Sequence, residues 1–467
     1  MSSARRVAAR VGGAAVLLAG ACAAALAPAA AIPPPGIDPG ALGAAQAISG
    51  APAPTEPTEQ RSLCAEPVLI GAPPQEPPMA QRVLDLPAAW QFSRGAGQKV
   101  AVIDTGVNRH PRLPALQPGG DYVSDSDGTV DCDGHGTLVA GIIAARPSLE
   151  DAFVGVAPDA EILAIRQLSL AYERKDSARA QPGEIRSGGY GSVLTLAGAV
   201  VRAVDMGATV INISEVACSR AGTDTSDGAL GAAVKYAYDR NVVVVAAAGN
   251  VDSSGACETQ NDGSGWSAVN TVASPAWFAP YVLAVGSVDA DGKPSELSLH
   301  GPWVGVAAIG RNIVSLDSKP GGAGLVNGVQ TAEGIRAVDG TSFAAPYVAG
   351  LAALVRARYP ELNAQQVIDR ITRTAQAPGI GREDTVGAGL IDPVAALTAP
   401  LPAQPIGVGA AVARPIAAPV LPPGPDPRPR RIAVIGSVVC LSGLAVAVAV
   451  SLPYRRRRRD IEAELTP

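Results

Sequence analysis

Three polar side chains in this sequence stand beside glycines in short segments, and together they have the types needed for nucleophilic catalysis. They are Asp104 in Ile-Asp-Thr-Gly, His135 in Gly-His-Gly-Thr and Ser342 in Gly-Thr-Ser-Phe. A serine that begins a helix is usually a cap, and Ser342 opens the largely apolar run 344–354. It becomes a nucleophile when a general base removes its proton and a third group orients that base. Because the chain has three histidines in all, one set between glycines is informative. We predict Ser342 as nucleophile, His135 as base and Asp104 as the orienting acid.

A second interpretation of Asp104 is an aspartic-protease acid, because Asp-Thr-Gly is also the signature of that class. Those enzymes use two such acids, and the sequence has no second Asp-Thr-Gly. That interpretation also leaves His135 and Ser342 without a role, and so we favour the serine nucleophile.

Short apolar runs alternate with helical patterns through the middle of the chain. We predict strands at 99–104, 160–168, 209–214, 242–247 and 282–288, and helices at 136–145, 192–206, 227–240, 342–359 and 364–374, with a short helix within 80–90. Strands that are apolar throughout indicate a parallel sheet covered by helices on both faces, an α/β fold. Such a sheet binds ligands beyond the carboxyl ends of its strands, where Asp104, Ser214 and Asn250 would lie together. The polar segment 171–191 is predicted to be a surface loop.

Both ends of the chain predict export and attachment to a membrane. Residues 1–31 carry arginines, then an apolar run, then small residues, which is the order of a secretory signal peptide. Cys22 lies in a weak lipobox, which makes lipidation a less favoured alternative. Residues 432–452 have no charge and are long enough to cross a bilayer, and Arg455 to Arg459 follow them. We predict a single-pass cell-membrane protein with its body outside the cytoplasm and residues 453–467 as a cytoplasmic tail.

The flanks between these ends and the middle of the chain are rich in proline. We predict an extended N-terminal extension at 32–78 and a semi-rigid linker at 399–431. The net charge is −5, which predicts no nucleic-acid binding.

The catalytic segments resemble, in kind and in order, the motifs of the subtilisin (subtilase) family of serine proteases. Ile-Asp-Thr-Gly, Gly-His-Gly-Thr and Gly-Thr-Ser-Phe-Ala-Ala-Pro all match, with Phe343 in place of the family's usual methionine. We assign 79–398 to the peptidase domain. The resemblance implies a three-layer subtilisin-like fold with a mainly parallel sheet. It also implies that Asn250, in Ala-Ala-Gly-Asn, is an oxyanion donor beside the backbone N–H of Ser342. Asn250 as a turn residue and His135 as a core histidine are the alternatives.

The layout of the whole chain is similar to that of the mycosins, which are membrane-anchored proteases of type VII secretion systems. The run Ile-Ser-Glu-Val-Ala-Cys at 213–218 also resembles them. The resemblance implies limited cleavage of a protein substrate bound in extended form, and association with a secretion membrane complex. Ser214, Glu215 and Val216 stand where the family usually has a glycine-containing wall of the substrate cleft, and so we expect a reshaped cleft and a restricted set of substrates. The alternative is a mainly structural subunit that stabilises the secretion complex.

Four cysteines outside the predicted signal and membrane segments indicate two disulfides in an oxidising compartment. Their number alone leaves three pairings open. Cys218 and Cys257 follow strands that we expect to be neighbours, and so we favour joining them, which leaves Cys64 for Cys132. The second bond would pin the N-terminal extension across the domain as a retained wrap, whereas an inhibitory propeptide is the alternative.

We expect no cofactor and no bound metal. Many subtilases hold calcium in surface loops, but the acidic stretch 121–133 has no liganding pattern. A structural calcium ion is therefore unsupported by the sequence.

Overall fold

The computed structural model describes residues 32–175, 189–223, 225–252, 257–377, 383–401, 441–443 and 446–447. The chain divides into two compact units, Met1–Pro400 and Leu401–Pro467, and the first contains the candidate site. The predicted signal peptide, the cytoplasmic tail and nearly all of the linker lie outside the described residues. So does most of the predicted membrane segment. Within the described ranges, no helix combines the length and the hydropathy needed to cross a bilayer.

The strands are short and are numbered in chain order. They are β1 (Thr58–Gln60), β2 (Glu66–Val68), β3 (Lys99–Asp104), β4 (Leu116–Asp121), β5 (Glu161–Arg166), β6 (Tyr172–Arg174), β7 (Val210–Ile213), β8 (Ala217–Arg220), β9 (Val243–Ala247), β10 (Thr271–Ser274), β11 (Val282–Val288), β12 (Val304–Ile309), β13 (Ser315–Leu316), β14 (Leu325–Val326), β15 (Gly328–Thr331) and β16 (Gly334–Ala337).

The α-helices are numbered in the same way. They are α1 (Leu42–Ser49), α2 (Met79–Val83), α3 (Leu86–Ala89), α4 (His135–Ala144), α5 (Val193–Asp205), α6 (Gly228–Asp239), α7 (Thr341–Arg358), α8 (Ala364–Thr374), α9 (Glu383–Val386) and α10 (Pro393–Thr398).

A parallel sheet of seven strands, in the order β12-β11-β9-β7-β3-β5-β4, forms the centre of the first unit. Every neighbouring pair in it runs parallel, and Ile213 of β7 is in register with Ile103 of β3 and Ala246 of β9. The predicted parallel α/β sheet is confirmed. β4 and β12 were not predicted from the sequence. β4 contains Pro118, which lacks an N–H for a ladder and is tolerated here because β4 is an edge strand.

Helices cover both faces of this sheet because successive side chains of a strand point to opposite faces. Val100 and Val102 of β3 pack in the core layer that contains α4 and α7. Ala101 and Ile103 of the same strand pack in the layer that contains α5 and α6. α7 is buried at every residue from Thr341 to Val355 and is thus a core helix.

The N-terminal extension is more structured than we predicted. Residues 42–49 form α1, and Ala45, Leu42 and Ile48 pack in the layer of α5 and α6. The extension then contributes β1, which pairs with β6, and β2, which pairs with β15. β6 lies inside the segment 171–191 that we predicted to be a loop, while residues 176–188 of that segment lie outside the described residues.

The predicted helix within 80–90 is divided into α2 and α3. Asp85 lies between them with φ 46°, a left-handed conformation that ends one helix before the next begins.

Candidate active site

The carboxylate of Asp104 lies at the carboxyl end of β3 and is fully buried. Its Oδ1 atom accepts hydrogen bonds from the backbone N–H of Thr105 at 2.8 Å and from Nδ1 of His135 at 2.7 Å. His135 is the first residue of α4, and Gly134 before it has φ 77°, which favours glycine. The acid and the imidazole that we predicted to work together are therefore in direct contact.

Close approach of two backbones brings these residues together. A Cβ atom on Gly136 would lie 2.0 Å from the carbonyl oxygen of Gly106 and 3.0 Å from Cβ of Asp104. The glycine after His135 is thus needed for α4 to start against the end of β3. The ring of His135 lies 4.9 Å from the ring of Phe343, centroid to centroid, which limits how the imidazole can tilt.

Carboxylates dominate the electrostatics around His135. Burial alone lowers the pKa of this histidine, but the charge of Asp104 and its hydrogen bond outweigh burial, and Glu215 and Asp131 add to them. The pKa of His135 is raised to about 10 as a result. A protonated imidazole is therefore strongly stabilised in this site, which is what a base needs at the moment when it accepts a proton.

Ser342 occupies the first turn of α7 and is 7% exposed. Its carbonyl oxygen accepts a hydrogen bond from Oγ of Ser214 at 2.7 Å, and Asn212 Nδ2 donates to that same Oγ at 2.9 Å. Gly340 precedes the helix with φ 153°, and a Cβ there would lie 2.9 Å from Oγ of Ser342. The serine hydroxyl is thus held on a fixed turn, and the first N–H groups of α7 have no partner within the helix.

The side chain of Asn250 is oriented by Thr341. Its Oδ1 atom accepts from the backbone N–H of Thr341 at 2.9 Å and from the Thr341 hydroxyl at 3.0 Å. These two bonds identify which amide atom is the oxygen and turn the Nδ2 group the other way. Nδ2 then lies 3.3 Å from where a Cβ on Gly340 would be, beside Ser342. An N–H donor therefore stands next to the nucleophile candidate.

Asp131 is a buried residue that the sequence analysis missed. Its carboxylate accepts from the hydroxyl of Thr105 at 2.8 Å, the N–H of Gly134 at 2.7 Å, and the N–H and hydroxyl of Thr137 at 2.8 and 2.6 Å. Burial raises the pKa of Asp131 to about 6 against these bonds. Asp131 thus joins the segment after Asp104 to the start of α4. Its position four residues before His135 is the feature of the sequence that could have indicated its role.

One cavity of about 840 Å³ exposes most of the predicted site residues. His135, Ser214, Glu215, Val216, Asn250 and Ser342 all line it. Asp104 does not, because it lies buried behind His135. The N-terminal extension forms part of the wall through Leu63 and Pro67. Glu215 and Val216 also border a second cavity of about 330 Å³ whose lining includes Leu168, Leu170, Val193 and Leu196.

Two disulfides stiffen the surroundings of this cavity. Cys64 of the extension is bonded to Cys132, three residues before His135. Cys218 is bonded to Cys257, which ties the segment after Glu215 to the segment after Asn250. Both bonds therefore connect walls of the same site.

Three side chains of the types that bind metal ions lie close together at this site. Atoms of Asp104, His135 and Glu215 lie within 4.8 Å of one another, and in the described part of the chain no other such group of three is found. The imidazole nitrogen in it already donates to Asp104. We therefore identify none of these residues as a metal ligand.

Comparison with known proteins gives one consistent result. The model of the subtilase family of peptidases matches residues 95–389. The chain is similar to mycosin-3 of Mycobacterium tuberculosis, with 46% identity over 445 residues that cover 92% of this chain and 94% of that protein.

Two solved structures show the same similarity. The MycP3 protease from the type VII (ESX-3) secretion system has a TM-score of 0.70 and 46% identity, covering 79% of this chain and all of that one. A chain of an intact ESX-5 inner membrane complex has a TM-score of 0.74 and 42% identity, covering 90% of this chain and all of that one.

Proposed function

The chain belongs to the subtilase family and is a subtilisin-type serine endopeptidase, and from that premise we propose that it makes limited cuts in secreted proteins as part of a type VII secretion membrane complex. The observation that carries the catalytic part is the 2.7 Å contact between Nδ1 of His135 and Asp104, in a cavity that Ser342 and Asn250 also line. The relatives' association with ESX systems supports the second part.

In the proposed mechanism, Oγ of Ser342 attacks the carbonyl carbon of the scissile bond and its proton passes to Nε2 of His135. Asp104 holds Nδ1–H and stabilises the imidazolium. The carbonyl oxygen becomes an oxyanion, which accepts hydrogen bonds from Nδ2 of Asn250 and the backbone N–H of Ser342. The imidazolium then gives its proton to the leaving amine. A water molecule releases the acyl group by the same steps, and the serine proton is restored.

The proposed substrate is an extended peptide with restricted sequence. Val216 narrows the cleft at the wall where the family usually has glycine. Its side chain packs against two core clusters, which restrict its movement out of the cleft. The extension adds Leu63 and Pro67 to the rim. A cleft lined by side chains and by an extension held through a disulfide discriminates more strongly between peptide sequences than a cleft lined by backbone alone.

We place the peptidase outside the cytoplasm, with residues 1–31 as a signal peptide and 432–452 as a single membrane anchor. The charge pattern of both segments supports this, and the two disulfides suit an oxidising compartment. Fractionation of cells, with protease protection of the C-terminal tail, tests the orientation.

Labelling with a fluorophosphonate, which reacts with activated serines, tests the catalytic assignment. Wild-type protein should be labelled, whereas Ser342→Ala and His135→Ala should not. Ser148→Ala, in a surface loop, is the matched control and should label like the wild type. Labelling of Ser342→Ala at the wild-type rate would overturn the assignment.

A mainly structural role in the secretion complex is the second candidate, because the similar chains include one within an intact inner membrane complex. Cells that express only Ser342→Ala distinguish the two. Loss of substrate processing with secretion preserved indicates a structural role beside the proteolytic one, and loss of secretion indicates that cleavage is required.

A further inference from the structure

Glu215 lies against the catalytic histidine rather than merely beside the cleft. Its Oε1 atom is 3.4 Å from Nδ1 of His135, the atom that donates to Asp104 at 2.7 Å. The side chain of Glu215 is 30% exposed and that of Asp104 is fully buried. The imidazole thus faces two carboxylates, one sealed in the core and one at the cavity wall.

The backbone that carries Glu215 is fixed on both sides. Ser214 before it donates to the carbonyl of Ser342, and the Cys218–Cys257 disulfide follows it. β8 begins at Ala217 and pairs with β10. A fixed backbone limits how far the Glu215 carboxylate can move from the imidazole, and a charge already in place needs less reorganisation to stabilise a transition state.

We propose that Glu215 is a positioning residue for His135, a second carboxylate that stabilises the imidazolium formed when His135 takes the proton of Ser342. This inference rests on the proposed catalytic function and deepens it. Glu215 itself exchanges no proton with the substrate in this step.

Apart from the pair itself, the charged groups that shift the pKa of His135 or Glu215 are all acidic, although Arg311 and Arg336 line the same cavity. Asp104 and Asp131 face His135 from β3 and from the loop before α4, and Asp133 faces Glu215. In the described part of the chain, no Lys or Arg side chain forms an ion pair with Glu215. Burial raises the pKa of Glu215, the charge of His135 lowers it, and the charges of Asp104 and Asp133 raise it, so that it is raised to about 7 in all. The charge of Glu215 therefore depends on the protonation of the imidazole that it faces.

The sign of the effect follows from this arrangement. An anion at 3.4 Å favours the imidazolium, so that Glu215→Gln lowers the pKa of His135. The acid limb of the pH profile should then move to lower pH, by about 1–3 pH units. The rate at the alkaline plateau should fall by about tenfold, because the imidazolium loses one of its stabilising charges.

The test is the second-order rate of inactivation by a fluorophosphonate from pH 5 to 11, which extends above the pKa of about 10 for His135, since this small probe reports the serine–histidine pair without filling the substrate subsites. The proteins are wild type, Glu215→Gln, Glu215→Asp, which keeps the charge, and Glu76→Gln, which removes an exposed carboxylate paired with Arg82. The acid limb should move only in Glu215→Gln.

NMR titration of the histidine rings gives a readout that needs no reaction. The chain has three histidines, and burial lowers the pKa of both His110 and His300. The His135 signal should therefore titrate apart from the other two, and it should move to lower pH in Glu215→Gln. Thermal unfolding shows whether each variant is folded.

Each outcome decides between the possibilities. An acid limb and a His135 titration that are unchanged in folded Glu215→Gln would overturn the inference and leave Glu215 as a wall residue. Equal shifts in Glu215→Gln and Glu215→Asp would also overturn it, because charge would not be the cause. A wild-type protein that fails to react at any pH would overturn the catalytic proposal and this inference together.

Discussion

Thr341 should control catalysis through the orientation of Asn250, and Thr341→Val isolates that role. Two donors of Thr341, its N–H at 2.9 Å and its hydroxyl at 3.0 Å, hold Oδ1 of Asn250. The substitution removes the hydroxyl and keeps the N–H. It also removes the acceptor for the buried N–H of Gly249, which lies 3.2 Å from the hydroxyl.

The two hydrogen bonds that the substitution removes determine the expected losses of turnover and of stability. One hydrogen bond of a pair is lost at Asn250, with a net value of about 0.5–1.5 kcal/mol, which corresponds to a decrease in kcat of about two- to tenfold. KM should stay unchanged, because the amide acts on the oxyanion and not on the bound peptide. The buried N–H of Gly249 loses its partner, and so the free energy of unfolding should fall by about 1–3 kcal/mol.

The assay is steady-state cleavage of a fluorogenic peptide, with unfolding by urea measured in parallel. Thr341→Ser keeps the hydroxyl and should retain kcat within about twofold of the wild type. In the background of Asn250→Ala, Thr341→Val should cause no further loss of kcat, because its route to the oxyanion has been removed. Equal losses from Thr341→Val and Thr341→Ser, or an additive loss in the double variant, would refute the reasoning.

Two further predictions concern the walls of the site. Gly340→Ala should lower kcat/KM by about 10²-fold, because its Cβ would lie 2.9 Å from Oγ of Ser342 and 3.3 Å from Nδ2 of Asn250; peptide kinetics check this, and wild-type kinetics would contradict it. Replacement of Cys64 and Cys132 by serine should lower the free energy of unfolding by about 4 kcal/mol, because their bond closes a loop across 68 residues. Urea unfolding with and without reductant measures that loss, and a reductant effect that persists at full size in the variant would assign the stabilisation to the other disulfide.

The parts of the fold that could be predicted are those determined by short stretches of sequence. β9 is an uninterrupted apolar run and β3 and β11 are largely apolar, and the observed bounds of all three agree with the prediction within a residue. The order of Asp104, His135 and Ser342, with the acid at a strand end and the other two at helix starts, was likewise visible in local motifs. A local pattern suffices when the backbone itself determines where the side chain goes.

The parts that could not be predicted depend on residues distant in the chain. α1 has no strong period of its own and is helical because Ala45 packs under α5 and α6. The contact of Glu215 with His135 joins residues 80 positions apart, since the segment after β7 and the start of α4 meet only in the folded sheet. We expected an acid near the cleft, and tertiary packing brings it to the base.

The pairing of β2 with β15 has a consequence for the order in which the protein is made. The backbone N–H of Ile70, just beyond β2, donates a hydrogen bond to Asn327 across 257 residues of chain. α1 packs on α5 and α6, the first of which begins at Val193. A chain that is synthesised from its N-terminus exposes this extension long before its docking surfaces exist. Contacts of such long range form slowly, because a large loop must close first. β2 of the N-terminal extension is therefore synthesised early but can pair only after β15 exists, and the wall of the catalytic cavity is complete only when most of the peptidase domain has been synthesised.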